Sequence, residues 1–316
     1  MNKPSQLKTI GIAVMIAVLT TVLAGCKFSV DSASKFNMAI NPGNLYLDAG
    51  GEGSERVQSV EPLIFNSGGS DIYGQILTPD SAYGEGRPVV IMFHGFAGFT
   101  KMDEIGNALC RAGCVVIMPY HRGAWGSHGT YSFSNCIEDA LNLTKEATSE
   151  AFAKKYHSDP GGVIYIGHSL GGNTAVNAAV KSDKVKGIVL LAPCDMGRLG
   201  TDMSEAQLKP FLIDNGAEAV NCGGVDALVE DTQKHAKDWS FPSHADQLKD
   251  TPVYIATGDK DDVCPAATMT EPLMKALEEA GGSGNHRAKS YPADHSLASV
   301  RVTLTKDIAA FLTSIK

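Results

Sequence analysis

The sequence predicts an α/β protein: a doubly wound, mostly parallel sheet of about eight strands with a small lid insertion. Three observations predict it. From Arg56 onward, short apolar runs alternate with longer segments of helical period, the pattern of strands covered by helices on both faces. The runs are continuous in their apolar character, as strands buried on both sides require. The 316 residues, 43% hydrophobic and 20% charged, hold enough apolar material for one large two-sided core or two small ones. The 33 Gly and 14 Pro follow no period, which excludes collagen-like and solenoid architectures.

Taken in order, residues 57–65 and 72–77 flank Asn66-Ser67-Gly68-Gly69 and read as a hairpin. Buried-type strands follow at residues 89–93, 114–119, 163–166, 185–191, 253–257 and 288–291, with helices at 101–112, 135–156, 170–181, 265–280 and 296–315. Residues 193–251 hold no strand and are too long for a simple connection, so a lid over about 194–251 is expected.

The N-terminus stands apart. Lys3 and Lys8 precede an uncharged, largely apolar stretch at residues 9–24, which is a charged n-region followed by an h-region. At about 1.5 Å per residue this helix is roughly 24 Å long, short of the ~30 Å hydrocarbon core, so a cleaved signal is favoured over a permanent span. It ends in Leu23-Ala24-Gly25-Cys26, which resembles the lipobox of bacterial lipoproteins. That resemblance implies cleavage after residue 25, lipid such as palmitate on Cys26, and a place in the cell envelope on the extracytoplasmic side. Residues 26–53 then read as lipidated N-terminus and tether, and 54–316 as the folded domain.

With 27 Lys+Arg against 35 Asp+Glu the formal charge is −8, and no basic run exceeds a dipeptide, so nucleic acid is not an expected partner. Six cysteines follow Cys26, and Cys194 with Cys222 is the preferred disulfide because both fall in the insertion. No Cys-x-x-Cys occurs, so neither a metal nor a redox motif is suggested.

The chemistry concentrates in Gly167-His168-Ser169-Leu170-Gly171, which follows an apolar strand and opens a helix. This is the Gly-x-Ser-x-Gly nucleophile elbow in its strand–turn–helix context. Glycines at both flanks let helix and strand approach, and the helix N-terminus points N–H groups at developing negative charge. On these residues the chain resembles the α/β-hydrolases, over roughly residues 57–316.

The resemblance implies a triad in the order Ser, acid, His, each after a successive strand. Gly258-Asp259-Lys260-Asp261-Asp262-Val263-Cys264-Pro265 is similar to the family's acid loop and selects Asp261, with Asp262 as the alternative. Pro292-Ala293-Asp294-His295-Ser296 follows the last strand and selects His295 as base; the nearest rival, His286, precedes that strand. The resemblance further implies an oxyanion hole from the backbone N–H groups of Leu170 and of Phe96, the latter in His94-Gly95-Phe96. His94 reads as a brace. Arg122, in Tyr120-His121-Arg122-Gly123, resembles a loop of prolyl-oligopeptidase-like hydrolases and either meets a substrate carboxylate or, the favoured reading, ties loops through Glu138 or Asp139. Trp125 either walls the acyl pocket or packs.

The function so implied is cofactor-free hydrolysis of small-molecule carboxylic esters through an acyl-enzyme on Ser169. A serine peptidase of the prolyl-oligopeptidase or aminopeptidase kind is the alternative; an acyltransferase and a non-catalytic surface lipoprotein stand behind it. The mature protein purified from membranes is expected to begin at lipid-modified Cys26; mass spectrometry finding an intact, unmodified N-terminus would exclude the anchor.

Overall fold

The structure, a computed structural model, describes residues 36, 38–48 and 57–315. The expected signal peptide, Cys26 and part of the tether lie outside these residues. Residues 38–48 lie on the domain: Met38 and Leu45 are buried, the Asn41 N–H donates to the Ala112 carbonyl at 2.8 Å, and the Arg111 guanidinium donates to the Leu45 carbonyl at 2.8 Å.

Eight strands form one sheet: β1 (Ser59–Ser67), β2 (Ser70–Thr78), β3 (Arg87–Phe93), β4 (Val115–Pro119), β5 (Ser158–His168), β6 (Val185–Leu191), β7 (Val253–Gly258) and β8 (His286–Tyr291). Their order is β1-β2-β4-β3-β5-β6-β7-β8, with β2 antiparallel to both β1 and β4 and all other pairs parallel. The β1–β2 turn lies at Gly68 and Gly69, φ +56° and +77°, a backbone that only residues without a Cβ adopt freely.

The helices are α1 (Asp103–Arg111), α2 (Phe133–Ala147), α3 (Glu150–Tyr156), α4 (Leu170–Ala179), α5 (Met196–Asp202), α6 (Glu205–Asp214), α7 (Val225–Lys234), α8 (Ala245–Leu248), α9 (Ala266–Met269), α10 (Glu271–Ala280) and α11 (Arg301–Leu312). Every residue of β3 is buried because its alternate side chains enter different cores. Val89, Ile91 and Phe93 pack with side chains of α2, α4 and α5 to α7, whereas Val90 and Met92 pack with α1 and α11. No described helix is long and apolar enough to cross a membrane.

Three expectations change. The helix expected at 265–280 breaks at Thr270, because Pro272, which has no N–H to donate, lies in the first turn of a new helix, α10. The single helix expected at 135–156 is two, because the Ser149 hydroxyl accepts from the Phe152 N–H at 3.1 Å and starts a new N-terminus within the apolar period. The Cys194–Cys222 disulfide is absent, and all six described cysteines are free and buried. Proximity in sequence misleads there: the Cys194 sulfur lies 3.9 Å from Met196 Sδ, while Cys222 follows Asn221, whose backbone bonds to Gly123 and Tyr131.

The segment between β6 and β7 carries α5 to α8, and Asp195 holds its two ends together. One carboxylate oxygen caps α5 at the Arg198 N–H, 3.0 Å, and the other accepts from the Phe241 N–H, 3.0 Å. Burial pushes this carboxyl up to about 6, against the pull of those N–H groups. Its folded value lies above the unfolded ~3.9, so its protonated form favours folding: the contribution is full below about pH 4 and is lost as pH rises through 6. We expect the unfolding free energy of wild type, relative to Asp195→Asn, to fall by about 2 kcal/mol between pH 4 and 7; urea titrations at both pH values measure it.

Candidate active site

The strand β5 delivers Ser169 to a turn that most residues avoid. Ser169 has φ +53° and ψ −119°, a backbone that costs about 1–3 kcal/mol and persists only where its surroundings enforce it. Enforcement comes from close packing: a Cβ on Gly167 would collide with the Gly171 carbonyl, and one on Gly171 with the Phe93 carbonyl of β3. The Ser169 N–H donates to the Leu191 carbonyl at 3.0 Å, and its own carbonyl accepts from the Cys194 N–H at 2.9 Å, tying the elbow to the end of β6 and the residues after it.

Three expected residues converge here. The Ser169 hydroxyl donates to His295 Nε2 at 2.9 Å, and His295 Nδ1–H donates to Asp261 Oδ2 at 2.8 Å. The other Asp261 oxygen accepts from the N–H groups of Val263 and Cys264 at 3.0 and 2.8 Å. Burial works to raise the Asp261 carboxyl, but the hydrogen bond from His295 and these N–H groups outweigh it and hold it below the usual carboxylate range. Asp262 and Asp259 are exposed. His286 opens β8 and its Nε2 faces the carbonyls of Leu248 and Thr251.

His168 was not singled out by sequence reasoning, yet it touches the base. Its Nε2 lies 3.0 Å from the His295 carbonyl, which only accepts, so that nitrogen carries the proton and pins the backbone of the His295 loop. Burial pushes His168 down to about 3, so the ring stays neutral at working pH. Its position inside the elbow motif was the only available signal.

Phe96 and Leu170 both border the cavity that exposes Ser169, and Leu170 is the first residue of α4, whose N-terminal N–H groups lack intrahelical partners. Behind Phe96, His94 acts as a brace. Its Nδ1–H donates to the Gly95 carbonyl at 2.8 Å and its Nε2 accepts from the His121 N–H at 3.2 Å; burial holds the ring down to about 4. Trp125 stands outside the cavity and its indole N–H donates to the Ala97 carbonyl at 2.5 Å, one residue beyond Phe96. Arg122 ties loops: it bonds to Asp139, to Glu138 at 2.8 Å and to the Ser67 hydroxyl at 3.2 Å, and borders none of the active-site cavity.

The cavity measures about 220 Å³. Phe133, Met196 and Leu212 form its buried end; Phe99 and Asp214, both exposed, stand at its open end. Among the described residues, no group of three His, Cys, Asp or Glu side chains is placed to hold a metal ion.

A family model described as serine aminopeptidase, S33, matches residues 84–211, a span that includes the elbow and stops before Asp261 and His295. The chain is 24% identical over 204 residues to the Escherichia coli (strain K12) esterase YjfP, covering 61% of this chain and 76% of that one. Among solved structures it resembles brefeldin A esterase, a bacterial homologue of human hormone-sensitive lipase, with TM-score 0.58 and 20% identity over 85% of this chain and 80% of the other. It likewise resembles esterase Est22, with TM-score 0.60 and 16% identity over 81% and 82%. The chain has the fold of the α/β-hydrolases, and the family model and the relatives it resembles are those of hydrolases.

Replacing Asp261 by Asn leaves the size of the side chain but removes the charge that stabilises an imidazolium and reverses the favoured tautomer. We expect kcat to fall roughly 10³–10⁴-fold, with a thermal unfolding transition still present; loss of less than tenfold would remove Asp261 from the proton-transfer chain.

Proposed function

We propose that the protein is a serine hydrolase that cleaves carboxylic esters of short acyl chain, acting from the cell envelope through a lipid anchor on Cys26. The observation that carries the catalytic reading is the unbroken hydrogen-bond chain from the Ser169 hydroxyl through His295 to Asp261. Serine is a weak nucleophile at its free pKa, so a base must take its proton as it attacks. His295 Nε2 takes that proton while Ser169 Oγ bonds the ester carbonyl carbon. Asp261 stabilises the resulting imidazolium and holds its orientation.

The carbonyl oxygen becomes an anion in the tetrahedral intermediate and lies toward the N–H groups of Leu170 and Phe96, where fixed donors act at no reorganisation cost. His295 then gives its proton to the departing alkoxide and the C–O bond breaks, leaving an acyl group on Ser169. Water, deprotonated by His295, attacks the acyl-enzyme; the carboxylic acid leaves and Ser169 recovers its proton.

The esterase names of relatives support an ester as the bond cleaved, and so does the lining of the cavity. A serine aminopeptidase, the reading favoured by the family model, needs acidic groups to hold a substrate ammonium. Asp214 is the one carboxylate on the described cavity wall, and it is exposed. The small cavity, about 220 Å³ and closed at its buried end by Phe133, Met196 and Leu212, supports a short acyl chain. For the anchor, the support is the sequence Leu23-Ala24-Gly25-Cys26 after an apolar stretch.

A fluorophosphonate probe is expected to label Ser169 in wild type and not in Ser169→Ala. Across p-nitrophenyl esters, acetate and butyrate are expected to be cleaved at least about tenfold faster, in kcat/KM, than dodecanoate, whose chain exceeds the cavity. Aminoacyl amides turned over in preference to esters would establish the peptidase instead.

A further inference from the structure

Two large aromatic side chains at the open end of the cavity belong to neither core. Phe99 is 66% exposed and Trp125 48%. Removing large apolar side chains from water is favourable, so two adjacent exposed rings beside a cavity mark a surface that gains by being covered.

Both rings are fixed. They pack edge to face, with centroids 5.8 Å apart and planes at 83°. Phe99 lies against the backbone after α6, where a Cβ on Gly216 would come within 2.7 Å of its ring. Trp125 has φ +51°, a left-handed conformation unfavourable for a bulky residue, and is held there with its indole N–H on the Ala97 carbonyl. A Cβ on Gly98 would collide with that indole, so the loop after β3 and the Trp125 turn are shaped to each other. The rings therefore form a ledge that is already ordered, which lowers the entropy lost on binding.

The ledge is continuous with the active-site cavity, since Phe99 borders both. An ester has two halves on either side of the carbon that Ser169 attacks. Its acyl half fits the enclosed end at Phe133, Met196 and Leu212. The alcohol half has to depart into solvent and therefore lies toward the open end. What the alcohol half meets there is aromatic.

We propose that Phe99 and Trp125 form a leaving-group subsite for an aromatic alcohol, so that the preferred substrates are short-chain acyl esters whose alcohol carries a ring. This inference rests on the ester-hydrolase reading and names the substrate class within it. The ring of the alcohol stacks on or against the edge-to-face pair, and the reaction is ordinary hydrolysis: ester and water give a carboxylic acid and the aromatic alcohol.

The test compares benzyl acetate with ethyl acetate, whose alcohols are of similar acidity, so that the ratio of their kcat/KM values reports the ring and not leaving-group reactivity. In wild type the benzyl ester is expected to be favoured about tenfold or more, the sum of two ring contacts. Phe99→Ala is expected to lower that ratio about fivefold, and Phe99→Tyr to keep it; a thermal unfolding transition establishes that each variant is folded. A ratio unchanged by Phe99→Ala, or a wild-type ratio near one, overturns the subsite and leaves ester hydrolysis standing. No turnover of either ester, together with failure of the fluorophosphonate to label Ser169, overturns the reading beneath it as well.

Discussion

The arrangement depends on how closely α4 can approach β3 and β5. Ser169 occupies a strained backbone, and that strain persists because Gly167 and Gly171 bring main chain against main chain with no room for a side chain between. The contact has two effects at once. It lifts the serine hydroxyl out of the sheet toward the loops after β7 and β8, and it places the start of a helix beside the carbonyl that the serine would attack. The parallel register from β3 through β8 then matters, because parallel strands end on one side of the sheet and so the Phe96, Asp261 and His295 loops meet at that edge.

Around this edge, burial sorts the ionisable groups by task. His94, His121 and His168 are all buried and pushed down, and act as neutral braces, each with a ring nitrogen bonded to the backbone. Asp261 is also buried, but three hydrogen bonds hold it charged. Arg122, after β4, and Asp139 of α2 form a buried pair, and removing either partner would leave an isolated charge. The insertion between β6 and β7 closes over the edge, stapled at its two ends by Asp195.

Much of this was legible in the sequence. The strands buried on both faces wrote their positions as continuous apolar runs, and β6 matches its expected bounds. The positions of Ser169, Asp261 and His295 could be read because chain order and strand ends constrain them. Other features left no periodic trace. The break between α2 and α3 rests on one serine cap inside an apolar period. The pairing of Asn221 with Gly123 and Tyr131, which carries Cys222 away from Cys194, is a long-range backbone contact with no local signal. His168 and Trp125 owe their roles to carbonyl groups on distant loops, and a carbonyl is the same in every residue.

Cys194 and Cys264 line the same cavity as Ser169. Sulfur in its ionised form is a better acyl acceptor than oxygen, so such a neighbour is a hazard to any ester formed on the serine. The neighbouring Cys194 and burial push the Cys264 thiol far up. It therefore keeps its proton, and migration of an acyl group from oxygen to sulfur, which would park the enzyme as a thioester, lacks the thiolate it needs.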